Sequence, residues 1–348
     1  ELVGRSQELL PGMRPQALSN VLWAAARCSL RGDRSSELDD LVLALVGECA
    51  GRFESFNAQD LSNCLWAVAA LGLSPGARFL DAAARWVSQG ISAFGPQNLA
   101  NTLWAFATMD HHPGAACLDA LAAQSCGKLA GFRPQHLSNS LWALAKLLHR
   151  PRGDLMLRGA GEVERKLSEF NPQNIANTMW AYAQLDHHPG SRFMQALVDA
   201  SSPKIAAFAP QNLSILACAC ARQCHHPGGE FLGRLVGASE QKLDGFNFQD
   251  LANTLWALAS LGHHPGDEFL ELACAASHRR LGDFKAHELT ISLWALASFR
   301  HHPEASFFTA LMEACRCRSG SFKPQDIVVA AWACVNLGYV RSRVPHKK

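Results

Sequence analysis

Apolar residues in this chain fall at helical spacing in short runs, and the runs come in pairs. The stretch FGPQNLANTLWAFATM, residues 94–109, places Leu99, Leu103, Phe106 and Ala107 three and four positions apart, the spacing of one buried helix face. Pro96 suits a first helical turn, where its missing N–H is no loss. Phe94 and Leu99 have the spacing of a hydrophobic staple around the helix start. Asn57, Asn171 and Asn247 hold the cap position in equivalent runs, and Asn is favoured there for its side-chain acceptor. The sequence HHPG, 111–114, stops the helix because Pro and Gly do not continue it easily. A second helical run follows, with Cys117, Leu118 and Leu121; Phe79, Phe193, Phe231, Phe269 and Phe307 take the Cys117 position elsewhere. Strand-type alternation is nowhere sustained. The pattern predicts a helical hairpin.

That hairpin recurs with a period of 38 residues. Gln59, Gln97, Gln135, Gln173, Gln211, Gln249 and Gln325 mark it, with His287 in the remaining slot, and Gln16 leads them by 43. Seven residues on stand Trp23, Trp66, Trp104, Trp142, Trp180, Cys218, Trp256, Trp294 and Trp332; three residues back are eight phenylalanines from Phe56 to Phe322, with Met13 in the first repeat. Such spacing means one supersecondary unit copied in tandem, each burying its neighbour's apolar face. The expected fold is all-α: a right-handed α-solenoid of about nine helix-turn-helix repeats, first helices on the concave side. It forms one repeat domain over 1–340 with a basic tail at 341–348. The opening residues up to Met13 align with the second half of a repeat, and the chain closes after a first helix. Both ends are therefore expected to belong to something longer, with room for a targeting segment before Glu1.

Charge and composition narrow the chemistry. The net charge of +2 over 348 residues gives no strongly basic footprint of the kind that marks electrostatic nucleic-acid binding. No segment reaches the roughly 18 uninterrupted apolar residues of a membrane span, so no membrane partner is expected. The twelve cysteines fall mostly at small or apolar helical positions such as Cys64, Cys117, Cys274 and Cys334. They read as free thiols behaving like small hydrophobes in a reducing compartment.

A helical wheel at about 100° per residue sets Leu99, Leu103, Phe106 and Ala107 toward the core, with Trp104 at its edge. Asn98, Asn101, Thr102, Ala105 and Thr108 form a polar stripe opposite. On that stripe Asn20, Asn63, Asn101, Asn139, Asn177 and Asn253 repeat, beside Thr102, Ser140, Thr178 and Thr254; Asn98 and Asn174 follow the marker. A fixed scaffold that presents hydrogen-bonding residues differing from copy to copy is how modular readers take one RNA base per repeat. The alternative is a structural ladder, in which the asparagines bond to neighbouring helices because Asn is a poor mid-helix residue. The tryptophans are expected to pack in the core, although aromatic rows also stack bases.

Cations for phosphates are needed near such a groove. Lys146 and Arg222 lie on the stripe with Arg27, and Lys128, Lys166, Lys204 and Lys242 recur at the ends of second helices as a basic ridge. The His pairs at 111/112, 187/188, 225/226, 263/264 and 301/302 read as polar helix ends rather than metal ligands, since adjacent helices pack roughly 8–10 Å apart. Cys218 and Cys220 point about 200° apart on a helix, which separates them as ligands. No Gly-rich phosphate loop, nucleophile elbow or HExxH sequence occurs. No metal, cofactor, small-molecule substrate or catalytic activity is expected.

The segments PQNLANTLWAFATMDHHPG and QDLANTLWALASLGHHPG resemble the octotricopeptide repeat, a 38-residue organellar RNA-binding hairpin. They are also similar to the heptatricopeptide repeat of RAP-domain proteins. The resemblance covers nearly the whole chain. It implies antiparallel helix pairs, sequence-specific contact of single-stranded mRNA or rRNA by the first helices, and a mitochondrial or plastid location. Roles it implies are stabilising, processing or translating transcripts, or holding ribosomal RNA, with ribosomal or other protein subunits as further partners. Repeat six, QNLSILACACARQCHHPG, lacks both Trp and the repeated Asn, and repeats eight and nine lack the Asn. No RAP-like nuclease is recognisable, so the resemblance implies binding rather than cleavage. An armadillo-like scaffold that holds an extended peptide is the competing reading; its repeats run about 40–47 residues.

Overall fold

The computed structural model describes residues 9–30 and 36–339; the basic tail and the residues before Leu9 lie outside them. Among the described residues the chain forms seventeen α-helices and no strand. The first-type helices are α1 (Pro15–Ser29), α3 (Ala58–Ala70), α5 (Pro96–Thr108), α7 (Pro134–Lys146), α9 (Pro172–Gln184), α11 (Pro210–Arg222), α13 (Phe248–Ser260), α15 (Ala286–Phe299) and α17 (Pro324–Asn336). Between them run the second-type helices α2 (Ser36–Ala50), α4 (Ala77–Gly90), α6 (Ala115–Gly127), α8 (Leu155–Lys166), α10 (Ser191–Ser201), α12 (Gly229–Glu240), α14 (Asp267–His278) and α16 (Ala305–Cys317). The protein is an α-solenoid of helical hairpins.

Two compact units divide the chain, one built from residues 1–170 and 184–189, the other from 171–183 and 190–348. In the first, α1, α3, α5 and α7 pack side by side in series, and α2, α4, α6 and α8 form a second row behind them. In the second, α11, α13, α15 and α17 pack in series, backed by α12, α14 and α16. The core between rows holds the staple phenylalanines, from Phe56 to Phe284, and the second-helix phenylalanines.

The end helices disclose which residues face which neighbour. Ala24 is exposed in α1, whereas its equivalents from Ala67 to Ala333 are buried, so this small position meets the preceding first helix. Ile327, Val328, Ala331 and Val335 are exposed in α17, whereas Leu18, Ser19, Leu22 and Ala26 are buried in α1, so these positions meet the following one. A first helix inside the array is thus covered on three sides.

The turns follow from local chemistry. Helix α5 ends with the Asp110 N–H donating to Ala107 O at 3.2 Å and the His111 N–H donating to Phe106 O at 3.0 Å, the Schellman pattern with a left-handed residue after the helix. That residue is Gly72, Gly262 or Gly338 in three repeats but Asp110, Leu148, Asp186, Cys224 and Arg300 in others. At the tip, Gly114 has φ +95°, and its N–H donates to His112 Nδ1 at 3.1 Å; Gly228 with His226 and Gly266 with His264 repeat the bond. The first histidine of a pair reaches the preceding hairpin instead: His111 Nε2 lies 3.3 Å from Asp81, and His225 Nε2 lies 3.1 Å from Gln195 Oε1.

Candidate functional site

With three sides covered, each first helix offers solvent one narrow stripe, at the marker and four, seven and eleven residues after it. In α5 that is Gln97, Asn101, Trp104 and Thr108, positions that share a face at 3.6 residues per turn. All eight marker glutamines and His287 are exposed. Asn20 is exposed, and Asn63, Asn101, Asn139, Asn177 and Asn253 are half-exposed. None of these six amides hydrogen-bonds to another group among the described residues. The asparagine ladder expected as the alternative is therefore not formed.

The tryptophans differ from expectation. Trp23 and Trp332 are 44% and 45% exposed, and Trp66, Trp104, Trp142, Trp180, Trp256 and Trp294 are half-buried. They stand on the solvent stripe, one turn beyond the asparagines, instead of in the core. Neighbouring rings in the first three repeats are tilted toward each other, with Trp23 and Trp66 centroids 6.5 Å apart at 36° and Trp66 and Trp104 6.4 Å apart at 32°. Arg27 sits over the Trp23 ring at 5.5 Å, a cation–π arrangement.

Half of the polar stripe drawn from the wheel is instead the seam between helices. Thr102, Ser140, Thr178 and Thr254 are buried, and Thr254 Oγ1 donates to Asp250 O at 2.7 Å. They are small enough to sit where the preceding first helix approaches, and no ligand reaches them in this arrangement. Asn98 and Asn174 are helix caps. Gly95 N–H donates to Asn98 Oδ1 at 3.0 Å, and Asn171 N–H donates to Asn174 Oδ1 at 3.2 Å. His136, Glu288, Asp60 and Asp326 do the same work in their repeats, so the variety at this position reflects interchangeable acceptors in a capping box. The position also ties adjacent helices: Asn98 Nδ2 donates to Ser62 Oγ at 2.9 Å, and Ser19 Oγ donates to Asp60 Oδ1 at 3.3 Å.

The basic ridge is likewise structural. Lys128 Nζ donates to Phe94 O at 2.6 Å and Ser92 O at 3.3 Å; Lys242 Nζ donates to Phe208 O and Ala206 O, both at 2.6 Å. Lys166 bonds Phe132 O and, at 2.9 Å, Ala130 O, and it pairs with Glu162 at 2.7 Å. Lys204 holds the same position and is engaged as well. The accepted carbonyls end short 3-10 turns, such as Ile91–Ala93, which leave acceptors unpaired and attract cations. Arg52 does this for Met13 O at 2.9 Å, and Arg318 for Gly282 O. Lys128, Lys166, Lys242, Arg52 and Arg318 thus each clasp the open end of one hairpin and are no longer free phosphate ligands. On the stripe itself, Lys146 pairs with Asp110 at 2.8 Å, and Arg222 has an interaction of its own.

Three groups are perturbed near the stripe. Burial pushes the Asp250 carboxyl up to about 6; no hydrogen bond reaches its carboxylate among the described residues, since its partners Ser214, Asn247 and Thr254 use its backbone. Burial and the nearby Arg133 and Lys166 push His136 down, which keeps Nδ1 free to accept from Arg133 N–H at 3.2 Å. Cys218, in the tryptophan position of repeat six, is pushed up to about 12 by burial.

Sequence reasoning used the glutamines only as markers and overlooked that they share a face with the Asn and Trp rows. The offsets of four, seven and eleven carried that signal. No helix among the described residues is long and apolar enough to cross a membrane.

Among known proteins, no curated sequence matches this chain. The model of one family does, three times in overlapping stretches: Tbc2 translation factor, N-terminal domain, over residues 24–157, 114–236 and 228–343. Several overlapping matches are what a tandem array produces when a multi-repeat pattern is laid along it. With nearly the whole hairpin array covered, the chain belongs to the Tbc2 translation factor N-terminal domain family.

Proposed function

We propose that this chain binds single-stranded RNA along the Gln–Asn–Trp stripe and reads bases in sequence, one per repeat, in the service of translation of an organellar mRNA or of the ribosome's own RNA. The observation that carries this reading is the row of Asn amides, in register, on solvent-facing positions and without protein partners. An amide offers a donor and an acceptor together, which suits a base edge. The residue eleven after the marker, Arg27, Ala70, Thr108 or Lys146 in the first four repeats, differs from copy to copy and lies one turn past the Trp, where it can tune the choice of base. Exposed Arg14 and Arg133 at first-helix starts in one compact unit, and Lys285 and Lys323 in the other, supply cations for phosphates in place of the clasped lysines. A family described as a translation factor fits this role, and the resemblance to octotricopeptide repeats points to a mitochondrion or plastid. The proposed role is binding without cleavage, with ribosomal or other subunits as further partners.

Selection from a randomised short RNA pool tests it. The protein is expected to enrich a defined motif, and Asn101→Ile, which copies the residue at 215, is expected to erase preference at one nucleotide. A pool that emerges unenriched would overturn the reading. In the second compact unit Ile215, Ile291 and Val329 replace the Asn, which favours protein contact by those helices. Ile291→Asn should then leave the RNA motif unchanged.

A further inference from the structure

We propose that the tryptophans of the first three hairpins form slots for RNA bases, one base inserted between Trp23 and Trp66 and the next between Trp66 and Trp104. The inference rests on the RNA reading above and specifies its ligand: a strand with unpaired bases splayed apart from one another. A stacked base takes roughly 3.4 Å per layer, so two rings flanking one base stand roughly 6.8 Å apart. The observed centroid separations, 6.5 and 6.4 Å, fall just short of that. They exceed what direct face-to-face stacking needs, and the tilts of 36° and 32° make each gap a wedge. Rotating the indoles toward parallel opens the wedge to one base, exchanging an indole–indole contact for two indole–base contacts.

Three further features fit. Trp23 is exposed and Trp66 and Trp104 are half-buried on the solvent stripe, so a base enters without displacing the hairpin cores. The amides of Asn20, Asn63 and Asn101 stand one helical turn before each Trp, unpartnered, where they meet the edge of an inserted base. Arg27 lies 5.5 Å from the Trp23 ring centroid, so a face of this ring is open to a planar partner, as base stacking requires. Because each base is separated from the next by an indole, duplex RNA, whose bases are paired and stacked on each other, does not fit.

The test uses 12-nucleotide oligo(U) and oligo(A) RNA, a 12-unit abasic ribose-phosphate strand, and a 12-base-pair RNA duplex, each titrated at low salt with tryptophan fluorescence and anisotropy as readouts. The expected result is indole quenching by the base-bearing single strands only. Trp66→Leu, which removes a wall of both slots, should weaken their binding at least tenfold while leaving the abasic strand unaffected, and Trp66→Phe should restore most of the loss. Circular dichroism melting confirms that the variants fold. Equal binding of abasic and base-bearing strands, or of duplex, overturns the slots. So does unchanged RNA binding by Trp66→Leu when Asn101→Ile still loses sequence preference, an outcome that leaves the RNA reading standing. Binding of no RNA at all, or of peptide alone, overturns both.

Discussion

The ammonium of Lys128 donates to the carbonyl oxygen of Phe94 at 2.6 Å, joining the end of a second helix to the residue that introduces its own first helix. The bond is charge-assisted, short, and made to a group that the 3-10 turn leaves without a backbone partner. Lys128→Met should therefore destabilise the protein by about 1–3 kcal/mol, read as a lower urea midpoint. The salt dependence of RNA binding should not change, because no phosphate is lost. A flatter salt slope with intact stability would return these lysines to the ligand.

Asn98 and Asn101 sit three residues apart on one helix and should respond in opposite ways. Asn98→Ala removes a cap and the tie to Ser62 and should cost about 1 kcal/mol, with RNA preference intact in the folded fraction. Asn101→Ala removes an amide with no protein partner; thermal melting should move little, and RNA selection should change.

Asp250 gives a pH signature. Its folded-state pKa is raised to about 6, against roughly 3.9 for an unperturbed Asp. The sign follows from linkage: the folded state holds the proton more tightly, so its contribution to stability is full below about pH 4 and is lost as pH rises through about 6. Asp250→Asn should raise the melting temperature at pH 7.5, with the gain shrinking between pH 6 and 4. A gain that persists at pH 4 would locate the effect elsewhere.

Leu148 is 70% exposed and holds φ +51°, a left-handed conformation that disfavours residues with a Cβ. Leu148→Gly should stabilise by about 1 kcal/mol, the strain relieved outweighing the added freedom of the unfolded chain. Chemical denaturation against the parent protein measures it.

The hairpin, its period and its turn residues were legible in the sequence, because Leu99, Leu103 and Phe106, HHPG and the staple Phe94 each report a local requirement. The binding stripe was legible only in part. A wheel divides a helix into one buried and one exposed face, as fits an amphipathic surface helix. A first helix in this array is instead buried against its own partner and against both neighbours. The polar hydroxyl of Thr102 therefore went to the seam, and the large apolar ring of Trp104 went to the half-exposed stripe, the reverse of what polarity alone implies. Asn98 and Asn101 look alike in sequence, and only the N–H of Gly95 separates the cap from the free amide. The lysine ridge was correctly seen as periodic, but periodicity does not distinguish a surface charge from one folded back onto a carbonyl.

The clasps are not uniform along the chain. Gly90 stands at the Lys128 position in the hairpin of α3 and α4 and has no side chain to close it. In the hairpin of α13 and α14, Arg280 turns aside to lie 4.3 Å over the Phe248 ring, Phe248 having replaced the usual Pro or Ala at the helix start. A hairpin held at its open end resists splaying; these two do not have that restraint. Mechanically they are the compliant joints between stiffer links, and tension along a bound strand would be taken up there first.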